Sequence, residues 1–154
     1  MTKIKICGLQ RIEDVEAVNK YLPDFIGFIL TPGFRRSISR ETAKKLKSAL
    51  SPKIKAVGVF VNDDAQNINS FVQSGIIDMV QLHGSESPEF CAAINATVIK
   101  YFNCSGGVSE NIGTIKPIIC FLIPARAREK PLIGKIFRKR ICRSFWRAAF
   151  LRII

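Results

Sequence analysis

Six short apolar runs punctuate the first 123 residues, at 3–6, 24–30, 55–61, 79–82, 97–102 and 117–123. The first alternates Lys3 and Lys5 with Ile4 and Ile6, the period-two pattern of a strand. The second is nearly unbroken, as in a strand buried on both faces. Between the runs, apolar residues recur at helical spacing. Ile12, Val15, Ala17, Val18 and Leu22 mark a helix over 11–22, with Glu13 and Asp14 in its first turn and Pro23 at its end. Ser39 caps a second helix that runs to about residue 50, ahead of Pro52. Asn62-Asp63-Asp64 precede a third, which carries Ile68, Phe71 and Val72. Ser87-Pro88-Glu89 open a fourth, and 109–115 suits a short fifth. Strand and helix alternate with a repeat of roughly 20–25 residues, which calls for a parallel sheet with right-handed crossovers. A doubly wound sheet and a (β/α)8 barrel both fit. Six βα units are too few for a complete barrel, which takes about 250 residues against the 154 of this chain.

The alternation stops at Ile123, and so does the composition. Ten of the 24 Lys and Arg residues, but one of the 12 acids, fall within 125–154. The formal charge of +12 is therefore mainly a property of this tail, and 1–124 is close to balanced. Phe145, Trp146, Phe150 and Leu151 interleave with Arg143, Arg147 and Arg152. A basic amphipathic helix over 138–152 would suit a nucleic acid or an anionic membrane surface. The domain reading is a barrel-type unit over 1–123 and a separate basic tail over 124–154.

No run approaches the roughly 18 apolar residues of a membrane span. Lys and polar residues recur over 3–20, where a signal peptide needs an apolar core, so a cytoplasmic location is expected. Cys7, Cys91, Cys104, Cys120 and Cys142 are odd in number, far apart and without a CxxC pair. Neither a zinc site nor a disulfide framework is expected from them.

In parallel α/β folds, chemistry gathers at the C-terminal ends of the strands. Cys7 follows the first strand and offers a nucleophile or a base, since a thiol near pKa ~8.5 is readily tuned by its surroundings. The alternative is a buried structural thiol. Arg35 and Arg36 follow the second strand, where one could clamp a carboxylate or phosphate bidentately; a solvated pair is the alternative. Asn62 and Gln81 stand at neighbouring strand ends and could orient a substrate, cap a helix or satisfy backbone groups. His83, the single histidine, is either catalytic or structural.

Taken together, these positions resemble one family. Lys5-Ile6-Cys7-Gly8-Leu9, Phe25-Ile26-Gly27-Phe28, Arg36-Ser37-Ile38-Ser39, Val57-Gly58-Val59-Phe60-Val61-Asn62 and Val80-Gln81-Leu82-His83-Gly84 are similar, in order and at barrel spacing, to the strand-end signatures of phosphoribosylanthranilate isomerase. The resemblance implies a (β/α)8 TIM barrel and a role in tryptophan biosynthesis. It implies the Amadori rearrangement of a phosphosugar–anthranilate substrate, N-(5-phosphoribosyl)anthranilate, to an aminodeoxyketose phosphate. It implies no metal and no organic cofactor. Cys7 would be the general base, and Arg36 would bind the anthranilate carboxylate. Asn62, Gln81 and His83 would line the substrate site.

The chain departs from that family late. The general-acid aspartate expected at the end of strand six is absent: the sequence there reads Leu122-Ile123-Pro124-Ala125, and no Asp follows Asp78. The phosphate loop is reduced to Gly134-Lys135-Ile136-Phe137, and strands seven and eight have no counterpart. The genetic code suggests a cause. Regrouping each third base of the codons for Ser144 to Ile154 with the next two permits Phe-Leu-Ala-Gly-Gly-Leu-Ser-Pro-Asp-Asn. That is similar to the family's strand-seven signature with its glycine pair. A frameshift between about residues 123 and 143, with truncation after it, is therefore expected. On that reading the tail is an out-of-frame product, which argues against its binding nucleic acid or membrane. Turnover should then be negligible. Strands one and six would be open edges that favour aggregation, unless a complementing fragment supplies the rest of the barrel. Urea unfolding should show low or non-cooperative stability.

Overall fold

The computed structural model describes residues 3–103 and 118–123, with side chains to Tyr101. Six strands run as β1 (Lys5–Cys7), β2 (Phe25–Ile29), β3 (Lys55–Phe60), β4 (Met79–Leu82), β5 (Thr97–Asn103) and β6 (Ile118–Ile123). Four helices lie between them: α1 (Ile12–Tyr21), α2 (Arg40–Ala49), α3 (Ala65–Gln73) and α4 (Pro88–Ala92). All neighbouring strands pair in parallel, and the order is β1-β2-β3-β4-β5-β6. That order decides between the two architectures. A doubly wound sheet reverses direction at a switch point, whereas here each strand is added on the same side of the one before, as in a barrel wall. The helix expected at 109–115 and the tail from 124 lie outside the described residues. Among the described residues, no helix is long and apolar enough to cross a membrane.

The helices begin where short polar side chains can take up free N–H groups. Ser39 accepts from Thr42 N at 3.2 Å, Asp64 from Asn67 N at 3.0 Å and Ser87 from Phe90 N at 3.2 Å. The Asp14 carboxylate does the same for α1, accepting from the backbone of Gln10 and Arg11. Leu22 ends that helix in the left-handed region, at φ 48°, and its N–H reaches Val18 O at 2.8 Å.

Alternation along the strands divides the apolar residues between two faces. Ile26, Phe28, Ala56, Phe60, Val80, Leu82 and Val98 pack with Val15, Val18, Ala43, Leu46, Ile68 and Phe71 into one core between sheet and helices. Val57, Val59 and Ile99 are equally buried but belong to the other, inner face. Lys5, Cys7, Gly27 and Gln81 share that inner face by period and register. The first strand keeps its expected period, and both of its faces are covered: Ile6 packs against the helix-side core, and Lys5 turns to the inner face. Ile4 is 42% exposed, whereas Lys5 is only 5% exposed.

One contact measures how far the sheet is rolled. Lys5 Nζ donates to Gln81 Oε1 at 2.8 Å, joining β1 to β4. Three strand intervals in a flat sheet would separate them by about 14 Å, and side chains standing perpendicular to a flat sheet would not converge. The inner face is therefore concave. Gly27 leaves the room for this crossing: a Cβ there would lie 2.5 Å from Cys7 Sγ and 3.0 Å from Lys5 Nζ.

Candidate active site

Cys7 is the last residue of β1 and is half-buried at the C-terminal rim of the sheet. The chain turns directly after it. Gly8 takes φ 88°, which a side chain rarely adopts, and the N–H groups of Gly8 and Leu9 both reach Gly27 O, at 2.8 and 3.2 Å. The missing side chain at Gly8 also admits Arg36. A Cβ at Gly8 would lie 2.7 Å from Arg36 Nη1, and that nitrogen donates to the Cys7 carbonyl at 3.0 Å.

The loop after β2 aims Arg36. Ser37 Oγ donates to Thr31 O at 2.6 Å and accepts from Phe34 N, and Ile38 N returns to Ile29 O at 3.0 Å. Thr31 Oγ1 in turn accepts from Val61 N at 2.9 Å, which fixes the loop against the end of β3. Of the two arginines, Arg36 is half-buried against Cys7 and Arg35 is exposed.

The other three expected residues are placed differently. Gln81 faces inward, and its amide oxygen is engaged by Lys5. Asn62, in the left-handed region at φ 48°, accepts from the backbone and hydroxyl of Ser85 at 2.8 and 3.2 Å. It ties the loop after β3 to the loop after β4. His83 is exposed at the end of β4; its N–H reaches Phe60 O, and its ring packs edge-on to Tyr101 with centroids 4.1 Å apart.

Beneath these loops lies a buried ion pair that the sequence reading did not single out. Lys100 Nζ donates to Glu86 Oε2 and to Gly84 O, both at 2.6 Å. Glu86 also accepts from the backbone of Asn62 and of Gly84. Burial pushes the Glu86 carboxyl up, but the hydrogen bonds from Lys100 and Asn62 N outweigh it and leave the group below its ordinary value. The available signal was a lysine inside the apolar run at 97–102, and Lys5 gives the same signal in the first strand. Cys91 is a contrasting thiol. It lies in the helix-side core, where burial pushes its pKa up, away from the reactive range.

The family described as N-(5'-phosphoribosyl)anthranilate (PRA) isomerase matches residues 4–117. The chain belongs to the phosphoribosylanthranilate isomerase family. The isomerase of Acetivibrio thermocellus is 49% identical over 90 residues, 58% of this chain and 41% of that protein. The isomerase of Endomicrobium trichonymphae is 44% identical over 100 residues, 65% of this chain and 50% of that protein. The chain thus spans at most about half the length of the curated isomerases it matches. Among solved structures, the isomerase of Thermotoga maritima superposes with a TM-score of 0.68 at 29% identity, over 87% of this chain and 65% of that one. A second isomerase, solved with reduced 1-(o-carboxyphenylamino)-1-deoxyribulose 5-phosphate, gives a TM-score of 0.63 at 35% identity. It covers 71% of this chain and 55% of that isomerase. The fold is thus a partial TIM barrel of the isomerase family. The missing acid is a matter of residue types alone: β6 carries no carboxylate between Ile118 and Ile123. Gly134 and its neighbours lie outside the described residues.

Proposed function

We infer that this chain carries one half of an Amadori-rearrangement site, the base and the carboxylate clamp. The observation that carries the reading is the contact between Arg36 Nη1 and the Cys7 carbonyl, which sets a guanidinium beside a half-buried thiol at the strand ends. The guanidinium fork suits the anthranilate carboxylate. With that group clamped, the sugar carbons lie toward the strand ends where Cys7 waits.

The reaction needs an acid and a base. An acid must first protonate the ring oxygen of N-(5-phosphoribosyl)anthranilate, so that the nitrogen lone pair expels it and an open-chain iminium forms. A base then takes the proton from C2. The C–H electrons form the C1–C2 double bond, the iminium π electrons return to nitrogen, and the enol amine becomes the ketone as C1 takes up a proton and the C2 hydroxyl gives one up. Cys7 as thiolate is the base of the second step. The first step lacks its carboxylic acid in this sequence. Burial of Gln81 against Lys5 and commitment of Asn62 to Ser85 give those two residues the work of shaping the site. His83 stands exposed at the rim beside them, its ring edge-on to Tyr101.

The 154 residues alone should therefore give negligible turnover of N-(5-phosphoribosyl)anthranilate generated in situ and followed by its fluorescence. Co-expression with a family fragment that supplies strand six onward, with its acid, should restore turnover, and Cys7→Ala should abolish it again. A folded complex without activity, or turnover by the chain alone, would overturn the reading.

A further inference from the structure

We propose that Lys5 is a positioning residue for Cys7: its ammonium, steered by Gln81, is the fixed cation that keeps the Cys7 sulfur ready to accept a proton. The assignment rests on Cys7 being the base.

The first support is an imbalance of charge. Lys5 is only 5% exposed. Its hydrogen bond goes to a neutral amide oxygen, Gln81 Oε1, at 2.8 Å. The described ion pairs are Lys3–Asp24, Lys47–Asp78 and Lys100–Glu86, and Lys5 has no carboxylate among them. Burial of an ammonium costs several kcal/mol, and one amide dipole offsets only part of that. Such a charge is free to act on whatever lies next to it.

The second support is geometry. Lys5 and Cys7 are two residues apart on the same strand and point to the same face. They converge over Gly27, which stands opposite Cys7 in the register. The place of the absent Gly27 Cβ is 2.5 Å from Cys7 Sγ and 3.0 Å from Lys5 Nζ. Sulfur and ammonium therefore share the space that a side chain on β2 would fill. A cation at that range favours the anionic, proton-accepting form of a thiol.

Among the other described groups around the sulfur Arg36 is the one cation, and the proposed reading commits its fork to the substrate carboxylate. From the β2 loop comes Arg36, whose Nη1 is directed at the Cys7 backbone carbonyl. From β2 itself comes Gly27, and from β4 the neutral Gln81, with His83 beyond the strand end. From β5 come Ile99 and Tyr101, the latter against His83. Gln81, expected to touch substrate, acts instead by aiming Lys5.

The test uses the full 154-residue chain and needs no turnover, so it stands apart from the complementation experiment. Cys7 alkylation by iodoacetamide is followed against pH on the tryptic peptide that carries it, 6–11 in wild type and 4–11 in Lys5→Met, which separates its adduct from those of the other four cysteines. Lys5→Met keeps the apolar stem and removes the charge. The pH of half-maximal rate should rise by about one unit, with alkylation at pH 7 slowed about tenfold. Lys5→Arg should restore the wild-type profile. A Lys5→Met profile that superimposes on wild type would overturn the proposal. If circular dichroism shows that Lys5→Met does not fold, Gln81→Glu carries the test, since its carboxylate neutralises the ammonium. It should move the profile the same way, and an unmoved profile would sink the idea.

Discussion

Two lysines are buried in this sheet, and they are used in opposite ways. Lys100 on β5 meets a carboxylate and a carbonyl, and Glu86 passes the tie on to the backbone of Asn62 and Gly84. Its charge is fully answered within the protein, and the result is a rigid joint under the loops after β3 and β4. Among the described residues Lys5 on β1 meets one neutral amide, which leaves its charge for the thiol beside it. The same residue type, buried to the same degree, builds structure where a counter-charge is present and reactivity where it is not.

Removing each charge separates the two roles. Lys100→Met should be the more damaging, because it strands the Glu86 carboxylate in the interior. A loss of about 3–5 kcal/mol is expected, read as a lower urea midpoint or outright unfolding. Lys5→Met leaves only a neutral amide unsatisfied and should cost about 1–3 kcal/mol by the same measurement. An equal loss for both would erase the distinction between joint and reactive site.

Acid probes the joint and leaves the Lys5 site aside. Glu86 is held below its ordinary value of 4.5, so the unfolded chain takes up its proton at higher pH than the folded one. The stability it supplies is fully present above about pH 4.5 and is lost as pH falls through the lower, folded value. Glu86→Gln should flatten urea midpoints against pH in that range, whereas Lys5→Met should leave the slope intact. The smallest effect is expected remote from both lysines: Ser39→Ala removes the cap of α2 and should cost about 1 kcal/mol without moving the Cys7 alkylation profile.

The elements were legible because each rule acted locally. Ser39, Asp64 and Ser87 cap helices from where they stand in the sequence, and the apolar runs at 24–30 and 55–61 became strands. The barrel-like order was not decided by periodicity, since both candidate folds share it; only strand pairing excludes the doubly wound sheet. Cys7 and Arg36 were each legible at a strand end; that they touch is seen only in the fold. Lys5 was not, because a lysine alternating with isoleucine reads as the solvated face. Its burial depends on the rolled sheet and on Gly27, 22 residues further on, which no local pattern contains. The frame reading stands on codons rather than on fold. Nucleotide sequencing from codon 115 onward should find the glycine pair in the shifted frame, and its absence would end that reading.

The strand order also fixes how this unit can assemble. Each strand pairs with the next one synthesised, so most contacts close over a single strand–helix repeat and can form as the chain lengthens. Among the described residues the bond from Lys5 to Gln81 is the exception, spanning 76 residues. Until β4 docks, the Lys5 ammonium has no partner to hold it inside, and the cation beside Cys7 is not fixed. The chemistry of the first strand is therefore completed by the fourth. During refolding, the pace at which Cys7 acquires its native reactivity times the closure of the four-strand arc.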